Sequence, residues 1–149
     1  MIHPITRRAV IAAALLPAFA FAQDAIRIGE INSYKVQPAF LDPYKKGMEL
    51  AVEEINAAGG VQVGKEKMKV QLVVEDNAGK ADQSAAAAQK LITQDEVLAI
   101  VGPNASRYAI PASEIAESSE TVLITPWSTN PKTTLDTNTN QPKKYVFRA

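Results

Sequence analysis

Two short apolar runs of this chain each end in a group of small polar residues. Leu98–Val101 is followed by GPNAS at 102–106, and Val122–Thr125 is followed by PWST at 126–129. Such runs are typical of buried strands, and in an open parallel α/β sheet ligands bind outside the carboxyl ends of the strands. These loops offer hydroxyl and backbone groups but no His, Cys or acidic side chain. That chemistry can hold a small polar molecule, and it lacks the groups needed to break one.

A phosphate-binding loop is the first catalytic motif to be tested. Gly59, Gly64 and Lys65 have the spacing of such a loop, but Glu66 stands where Ser or Thr must hold Mg²⁺. The motif also follows a predicted helix and precedes a predicted strand, which is the reverse of the required order. We therefore interpret this segment as a helix stop followed by a hairpin-like turn.

The remaining candidates for acid–base chemistry are few. Glu75 and Asp76 end a predicted strand, where paired carboxylates could serve metal or phosphoryl chemistry, but we favour solvated turn and helix-capping roles. The one histidine, His3, precedes the predicted mature chain. The absence of cysteine excludes disulfides, thiolate chemistry and cysteine-bound metals. We expect a binding protein that is not an enzyme, with no cofactor and no metal.

Residues 1–22 have the pattern of a signal peptide. Arg7 and Arg8 precede the apolar run Ala9–Phe19, and the AFA at 20–22 fits the small-x-small pattern of a cleavage site. The run is too short to span a bilayer core of about 30 Å. We therefore expect the leader to be cleaved and the mature chain not to be stably inserted in the membrane. The alternative is that the leader stays attached as an uncleaved anchor. The paired arginines leave a twin-arginine signal open, although we favour general secretion. We expect an exported, mildly acidic mature chain.

Composition and charge restrict the partners. The chain has 149 residues, 46% of them hydrophobic, which allows one domain with a real core. Its formal net charge is zero and its acids and bases are interspersed, so no nucleic-acid partner is expected.

From residue 23 onward, strand and helix patterns alternate. The predicted strands are Ile26–Ile31, Lys67–Glu75, Leu98–Val101, Val122–Thr125 and Lys144–Phe147. The first predicted helix begins with Asp42 as N-cap and Pro43 and ends at Gly59-Gly60. Two further helices are predicted at Ala81–Ile92 and Ser106–Ser119, the latter with Pro111 near its first turn, and residues 132–142 are predicted to be a loop or linker. The expected buried stripes are Tyr44, Met48, Ala51, Val52 and Ile55 on the first helix and Ala81, Ala85, Ala88 and Ile92 on the second.

Repeated strand–helix–strand units predict an α/β fold with a parallel sheet and right-handed crossovers. The chain stops at Arg148-Ala149, inside the last predicted strand, whereas a closed domain normally ends in a segment that caps the fold. We therefore expect residues 23–149 to form a partial domain, truncated either in the gene or by a cut.

Six spaced segments carry a family resemblance: IRIG at 26–29, the stretch from Gly47 to Gly60, VVEDN at 73–77, IVG at 100–102, IPAS at 110–113 and YVFR at 145–148. In this order they resemble the N-terminal region of periplasmic branched-chain amino-acid-binding proteins, and the match covers nearly the whole mature chain. The resemblance implies a Rossmann-like parallel sheet flanked by helices, as a partial first lobe of a two-lobed periplasmic binding protein. It also implies a periplasmic solute receptor that captures an amino acid or amide for an ABC permease.

The resemblance also assigns site residues. Ser106 corresponds to the serine that binds the ligand's carboxylate, unless it serves only as an N-cap. Trp127, Ser128 and Thr129 correspond to a second loop, in which a backbone carbonyl and the Thr129 hydroxyl would hold the ammonium and the Thr129 N–H would share the carboxylate. Alternatively, Thr129 caps the residues that follow it. The Trp127 indole either forms a wall of the pocket or packs at the hinge. Phe40 corresponds to an aromatic pocket wall, with core packing as the alternative.

The second lobe of the family, which supplies the other wall of the site, is absent from these residues. We therefore expect this chain alone to bind amino acids weakly or undetectably, because an open half-site loses the low-dielectric strengthening of its polar contacts. A ligand-sensing domain of a receptor, an α/β enzyme with catalytic residues further along, and a degraded gene are the alternative interpretations, since fold does not determine function.

Overall fold

The computed structural model describes residues 25–149, and the predicted signal peptide, residues 1–22, lies outside the described residues. Strands and helices follow one another along the described chain, but the single strand predicted at Lys67–Glu75 is divided at Lys69 into two, Glu66–Met68 and Val70–Asp76, because the first of these pairs in a hairpin with Val61–Val63. The elements are β1 (Ile26–Asn32), α1 (Pro38–Ala57), β2 (Val61–Val63), β3 (Glu66–Met68), β4 (Val70–Asp76), α2 (Ala81–Thr93), β5 (Ala99–Val101), α3 (Ser106–Ser118), β6 (Val122–Thr125), a 3₁₀ helix (Pro131–Thr133) and β7 (Val146–Arg148).

Five strands form one parallel sheet in the order β4-β1-β5-β6-β7. This confirms the predicted α/β class. The strands β4 and β5 pair with opposite edges of β1, so the chain switches direction across the sheet at β1. Such a switch point leaves a crevice at the carboxyl ends of the two strands beside it, which are β1 and β5. The short strands β2 and β3 form a separate antiparallel hairpin, as expected for the segment after Gly59.

The first helix begins earlier than predicted. It starts at Pro38 rather than at Asp42-Pro43, and Gln37 precedes it without a side-chain cap. The backbone N–H groups of Phe40 and Leu41 bond to the carbonyl of Gln37 and close the first turn. Two prolines in this stretch are each compatible with a helix start, and the earlier one occupies the first turn. Pro43 therefore lies inside the helix.

The predicted apolar stripe of α1 is only partly buried. Tyr44, Met48 and Val52 are half-buried, whereas Ala51 and Ile55 are exposed. Among the described helices, α1 alone lies on its face of the sheet, where it packs beside β4. The same face of β6 and β7 is open, with Ile124 40% and Phe147 48% exposed. This corrects the expectation of a fully buried stripe.

The main core lies on the opposite face of the sheet, against α2 and α3. Its buried members are Ile31, Ala87, Ala88, Leu91, Val97, Ile100, Ala112, Ala116, Leu123 and Val146. A side chain at Gly29 would place its Cβ 2.9 Å from the Leu91 side chain, so this glycine lets α2 lie close to β1. The buried residues of α2 are Ser84, Ala87, Ala88 and Leu91, whereas the predicted stripe had Ala81, Ala85, Ala88 and Ile92. Four consecutive alanines place apolar residues on every face of the helix, so apolar periodicity does not show which face is buried. Tertiary packing buries the face that carries Leu91.

Smaller differences concern element ends. Pro111 lies in the second turn of α3 rather than near its first. Leu98 is 67% exposed and precedes β5, while the final strand is shifted to Val146–Arg148. The predicted loop 132–142 is crossed by a bridge between Leu135 and Pro142. None of the helices described in residues 25–149 has the length and apolar character needed to cross a membrane.

Candidate functional site

The loops after β1 and β5 are joined by polar side chains at the switch point. The Ser33 hydroxyl lies 2.7 Å from Asn77 Oδ1 and 3.3 Å from Asn104 Oδ1. The Asn104 amide donates to Gln37 Oε1 over 2.7 Å. These contacts join the first turn of α1 to the loop after β5, so both sides of the crevice are held by side-chain hydrogen bonds.

Gly102 lets the loop after β5 pass close to β1. Its φ is +101°, and a Cβ at this position would lie 2.2 Å from the Ile31 carbonyl oxygen. A side chain is excluded both by this contact and by the backbone conformation. The next loop is held to it because the Thr125 hydroxyl donates to the Pro103 carbonyl over 2.8 Å. The loops after β5 and β6 therefore approach each other at the mouth of the crevice.

Ser106 lies where these two loops meet. It is the first residue of α3, and its Oγ is 3.2 Å from each of three groups: the Ser128 hydroxyl, the Thr129 N–H and the Asn130 N–H. The N-cap of the helix is Ala105, so the alternative in which Ser106 serves only as an N-cap is not what the structure shows. The structure thus brings Ser106, Ser128 and Thr129 together on one side of the sheet, with Ser106 half-buried.

The side chains of Ser128 and Thr129 have different surroundings. Ser128 is buried, its Oγ is 2.6 Å from Thr133 Oγ1, and its N–H donates to Thr125. Its side chain therefore holds the loop in shape. Thr129 is exposed, and its carbonyl accepts a hydrogen bond of 2.8 Å from Arg148. The cap of the following 3₁₀ helix comes from Asn130 and not from Thr129.

Phe40, Tyr44 and Trp127 form an aromatic cluster beside these hydroxyls. The Phe40 and Trp127 ring centroids are 4.7 Å apart with planes tilted by 37°, and those of Tyr44 and Trp127 are 5.4 Å apart. Phe40 is 57% exposed and Trp127 is 39% exposed, so core packing does not describe Phe40. Tyr44, predicted to lie on a buried stripe, is half-buried and contacts Trp127, which its position in the sequence does not indicate.

Sequence reasoning also missed a buried acid below this cluster. Glu30 of β1 is fully buried, and the Asn32 amide donates to its Oε1. Burial raises the pKa of Glu30 to about 7, while the Tyr34 hydroxyl, the Asn32 amide and Lys45 partly oppose that rise. In the sequence, Glu30 is one polar member of an alternating strand. The signal that could have found it is the predicted parallel sheet itself, because strands in such sheets are covered on both faces.

Of the two acids that end β4, Asp76 has the turn role that was expected, whereas Glu75 does not. Asp76 accepts hydrogen bonds from the backbone N–H groups of Lys35 and Ala78, at 3.0 Å and 2.7 Å. Glu75 pairs with Lys90 of α2. In the part of the chain that the structure describes, no group of three or more His, Cys, Asp or Glu residues is placed to hold a metal.

The fold and the site together define a class of protein. In α/β proteins, the carboxyl ends of parallel strands are where small molecules bind, and here hydroxyls, a helix N-terminus and exposed aromatic rings lie at these ends. The chain belongs to the periplasmic binding protein family, whose sequence pattern matches residues 26–149. This agrees with the family resemblance drawn from the six segments.

Two proteins of Pseudomonas aeruginosa are similar in sequence. One, described as an amino acid binding protein, is 41% identical over 96 residues, which is 64% of this chain and 25% of that protein. The other, described as a leucine-, isoleucine-, valine-, threonine- and alanine-binding protein, is 32% identical over 143 residues, 94% of this chain and 35% of that protein. The chain therefore spans between a quarter and about a third of the length of these relatives.

A solved structure has the same fold. It is the branched-chain amino acid transporter substrate binding protein LivJ from Streptococcus pneumoniae, in complex with isoleucine. The TM-score is 0.72 at 30% sequence identity, and the alignment covers 84% of this chain and 33% of that one. The parallel sheet flanked by helices is thus shared with one part of a longer binding protein.

Proposed function

We propose that this chain is the ligand-capturing first lobe of a solute-binding protein of an ABC importer. Its ligand is an amino acid, of the branched-chain type or a related amino acid or amide. The observation that carries this proposal is the meeting of Ser106 and Thr129 at the N-terminus of α3, at the carboxyl ends of the strands. The family, and the amino acids that its relatives are described as binding, support the amino-acid class.

The first contact in this proposal is with the ligand's carboxylate. The first turn of a helix leaves backbone N–H groups without helical partners, and the helix dipole makes this end positive. The Ser106 hydroxyl and the Thr129 N–H converge at that end, 3.2 Å apart. A carboxylate oxygen placed beside both receives the proton of the Ser106 hydroxyl, and it receives the Thr129 N–H when that group exchanges its hydrogen bond to Ser106 for one to the ligand. The field of α3 adds to both contacts.

The remaining contacts hold the ammonium and the apolar part of the ligand. The Trp127 carbonyl and the Thr129 hydroxyl are the acceptors proposed for the ammonium, and Thr129 is exposed as this role requires. Phe40 and Trp127 present exposed ring surface for an apolar side chain. Ser128 supports the site from below through Thr133 and Ser106. The proposed action is binding without catalysis.

We propose further that the protein acts in the periplasm, after export by the leader at residues 1–22, and that it delivers its ligand to a permease in the inner membrane. The name of the family and the transporter description of the pneumococcal structure support this location and partner. Export is tested by expressing the chain with a C-terminal tag and asking whether residues 1–22 are removed from the exported protein.

The binding proposal is tested through Trp127, the one tryptophan of the chain. Titration with L-leucine, L-isoleucine and L-valine is expected to change its emission, with weak affinity because a single lobe leaves the ligand open to water. Leucinol, which lacks the carboxylate, is expected to cause a smaller change.

The matched variants are Ser106→Ala and Ser118→Ala, at opposite ends of α3. Loss of the Ser106 hydroxyl is expected to weaken binding about 10- to 150-fold, the effect of one hydrogen bond to a charged group of about 1.5–3 kcal/mol. Ser118→Ala is expected to bind like the native chain. Equal responses of both variants, or no response to any of the amino acids, would overturn the proposal.

A further inference from the structure

The end of β1 holds buried polar atoms that lack partners in the described structure. Glu30 Oε2 and Asn32 Oδ1 are both buried without a hydrogen bond, although the two side chains are already joined through Asn32 Nδ2 and Glu30 Oε1. The Tyr34 hydroxyl is a third buried oxygen and lies close enough to Glu30 to affect its protonation. A buried acceptor without a donor is costly, so this group of atoms needs an explanation.

The neighbours of Glu30 across the sheet are all apolar. In the register of the parallel strands, Glu30 lies between Val74 of β4 and Val101 of β5, and the row continues with Ile124 and Phe147. A carboxylate in such a row has lost its water without gaining an ion-pair partner within salt-bridge distance among the described residues. A neutral carboxylic acid is much less costly to bury.

We propose that Glu30 is held as a neutral carboxylic acid and positions the aromatic cluster of the ligand site. A proton on Glu30 Oε2 is the donor that the unpartnered acceptors lack. It can be donated to Asn32 Oδ1, which closes a pair of reciprocal acid–amide hydrogen bonds, or to the Tyr34 oxygen, which then donates its own proton to Asn32. When Glu30 is ionised, the Tyr34 proton can serve only one of the two acceptors.

The groups facing Glu30 connect it to the cluster. They are Tyr34 in the loop after β1, Tyr44 and Lys45 on α1, and Asp76 at the end of β4. Lys45 Nζ lies 5.7 Å from the centre of the Tyr34 ring, and the Tyr44 ring contacts Trp127. Ionisation of Glu30 therefore places a negative charge beside Tyr34, in the loop after β1, and beside Tyr44, whose ring contacts Trp127.

The charge balance around Glu30 sets where this change occurs. Burial raises the pKa of Glu30 and Asp76 adds to the rise, while Tyr34, Asn32 and Lys45 oppose it, so that ionisation falls near pH 7. The consequence for ligand binding, a pH-dependent aromatic wall, rests on the proposed function. The protonation of Glu30 and its coupling to Trp127 do not, and they can be measured without ligand.

Infrared difference spectroscopy tests the proton directly. At pH 6 the native chain is expected to show the C=O band of a protonated carboxylic acid, which disappears by pH 8.5 and is absent from Glu30→Gln. Glu53→Gln, which removes an exposed acid of α1, is expected to keep the band. If Glu30→Gln leaves the pH 6 spectrum unchanged, Glu30 is ionised and the proposal is wrong.

Trp127 emission tests the coupling. In a His3→Gln background, which removes the one histidine of the sequence, the emission is expected to follow a single titration with a midpoint near pH 7. Tyr34→Phe is expected to move the midpoint upward, because the Tyr34 hydroxyl favours the ionised form. This second variant keeps the test usable even if Glu30→Gln fails to fold.

The results separate this inference from the function proposed above. A flat emission profile in the native chain, or a midpoint that stays in place in Tyr34→Phe, would overturn the coupling whether or not amino acids bind. Failure of amino acids to bind, with the titration present, would instead count against the proposed function alone.

Discussion

At the scale of single residues, the candidate site depends on a few polar atoms held in fixed relation. Ser106 accepts hydrogen bonds from the second loop, and Gly102 lets the first loop approach β1. Glu30 is the residue whose chemistry departs most from its appearance in the sequence. An acid in an alternating strand looks like a solvent-facing residue, yet here it is fully buried.

The burial of Glu30 predicts how stability changes with pH. Its pKa rises from an ordinary value of 4.5 to about 7, so between these values the folded chain binds a proton that the unfolded chain has released. Stability contributed by this group is therefore present at low pH and is lost as the pH rises through about 7. A rise of this size corresponds to about 3 kcal/mol, at about 1.4 kcal/mol per pH unit.

We expect Glu30→Gln to gain stability relative to the native chain as the pH is raised from 5 to 8, by up to that amount. Urea denaturation at several pH values measures the difference, and Glu53→Gln controls for removal of an exposed acid. A difference that is constant with pH would show that Glu30 has an ordinary pKa in the folded state.

At the scale of elements, the two faces of the sheet differ. On one face α2 and α3 pack closely on β1, β5 and β6 through small side chains and Leu91. On the other face α1 lies alone among the described helices, and most of its apolar stripe is only half-buried. The loops of the candidate site follow the carboxyl ends of the strands. Side-chain hydrogen bonds of Asn104, Thr125 and Thr133 hold these loops in place.

The position of α2 is tested by two neighbouring residues. Leu91→Ala removes a fully buried side chain next to Gly29 and is expected to cost about 2–5 kcal/mol. Ile92→Ala, at the position that apolar periodicity places on the buried stripe, is expected to cost less because Ile92 is half-buried. Chemical denaturation measures both. The reverse ranking would mean that α2 is rotated from the orientation described.

At the scale of the whole molecule, the open face of β6 and β7 is the main surface feature. Ile124 and Phe147 are opposite one another in the register and are both exposed. Contiguous apolar surface of this kind favours association, particularly next to a strand at the edge of a sheet.

We expect the double variant Ile124→Thr, Phe147→Thr to associate less than the native chain and to retain its stability within about 1 kcal/mol, since threonine keeps the preference for strand. Sedimentation velocity over a range of concentrations measures the association. Val101→Thr, which lies on the same face beside Glu30 and is half-buried, is a control that should leave association nearly unchanged. Unchanged association in the double variant would show that this face does not mediate contacts between copies.

Local signals were enough to predict the α/β class, a parallel sheet, the main strands and helices along the chain and the two loops of the candidate site. Glycines at 59 and 60, proline positions and the short apolar runs act through backbone geometry and burial, which depend on nearby residues. The pairing of the Ser106 loop with the Thr129 loop also followed, because the carboxyl ends of parallel strands meet at one edge.

Other features were decided only by tertiary packing. The start of α1 depended on which of two prolines the first turn used, and the buried face of α2 depended on Leu91 fitting over Gly29. The contact of Tyr44 with Trp127 and the burial of Glu30 join residues from different elements. Sequence patterns describe how a residue sits relative to its own strand or helix. Which residues of other elements contact it depends on where those elements pack. These contacts determine how exposed the side chain is and whether it is charged.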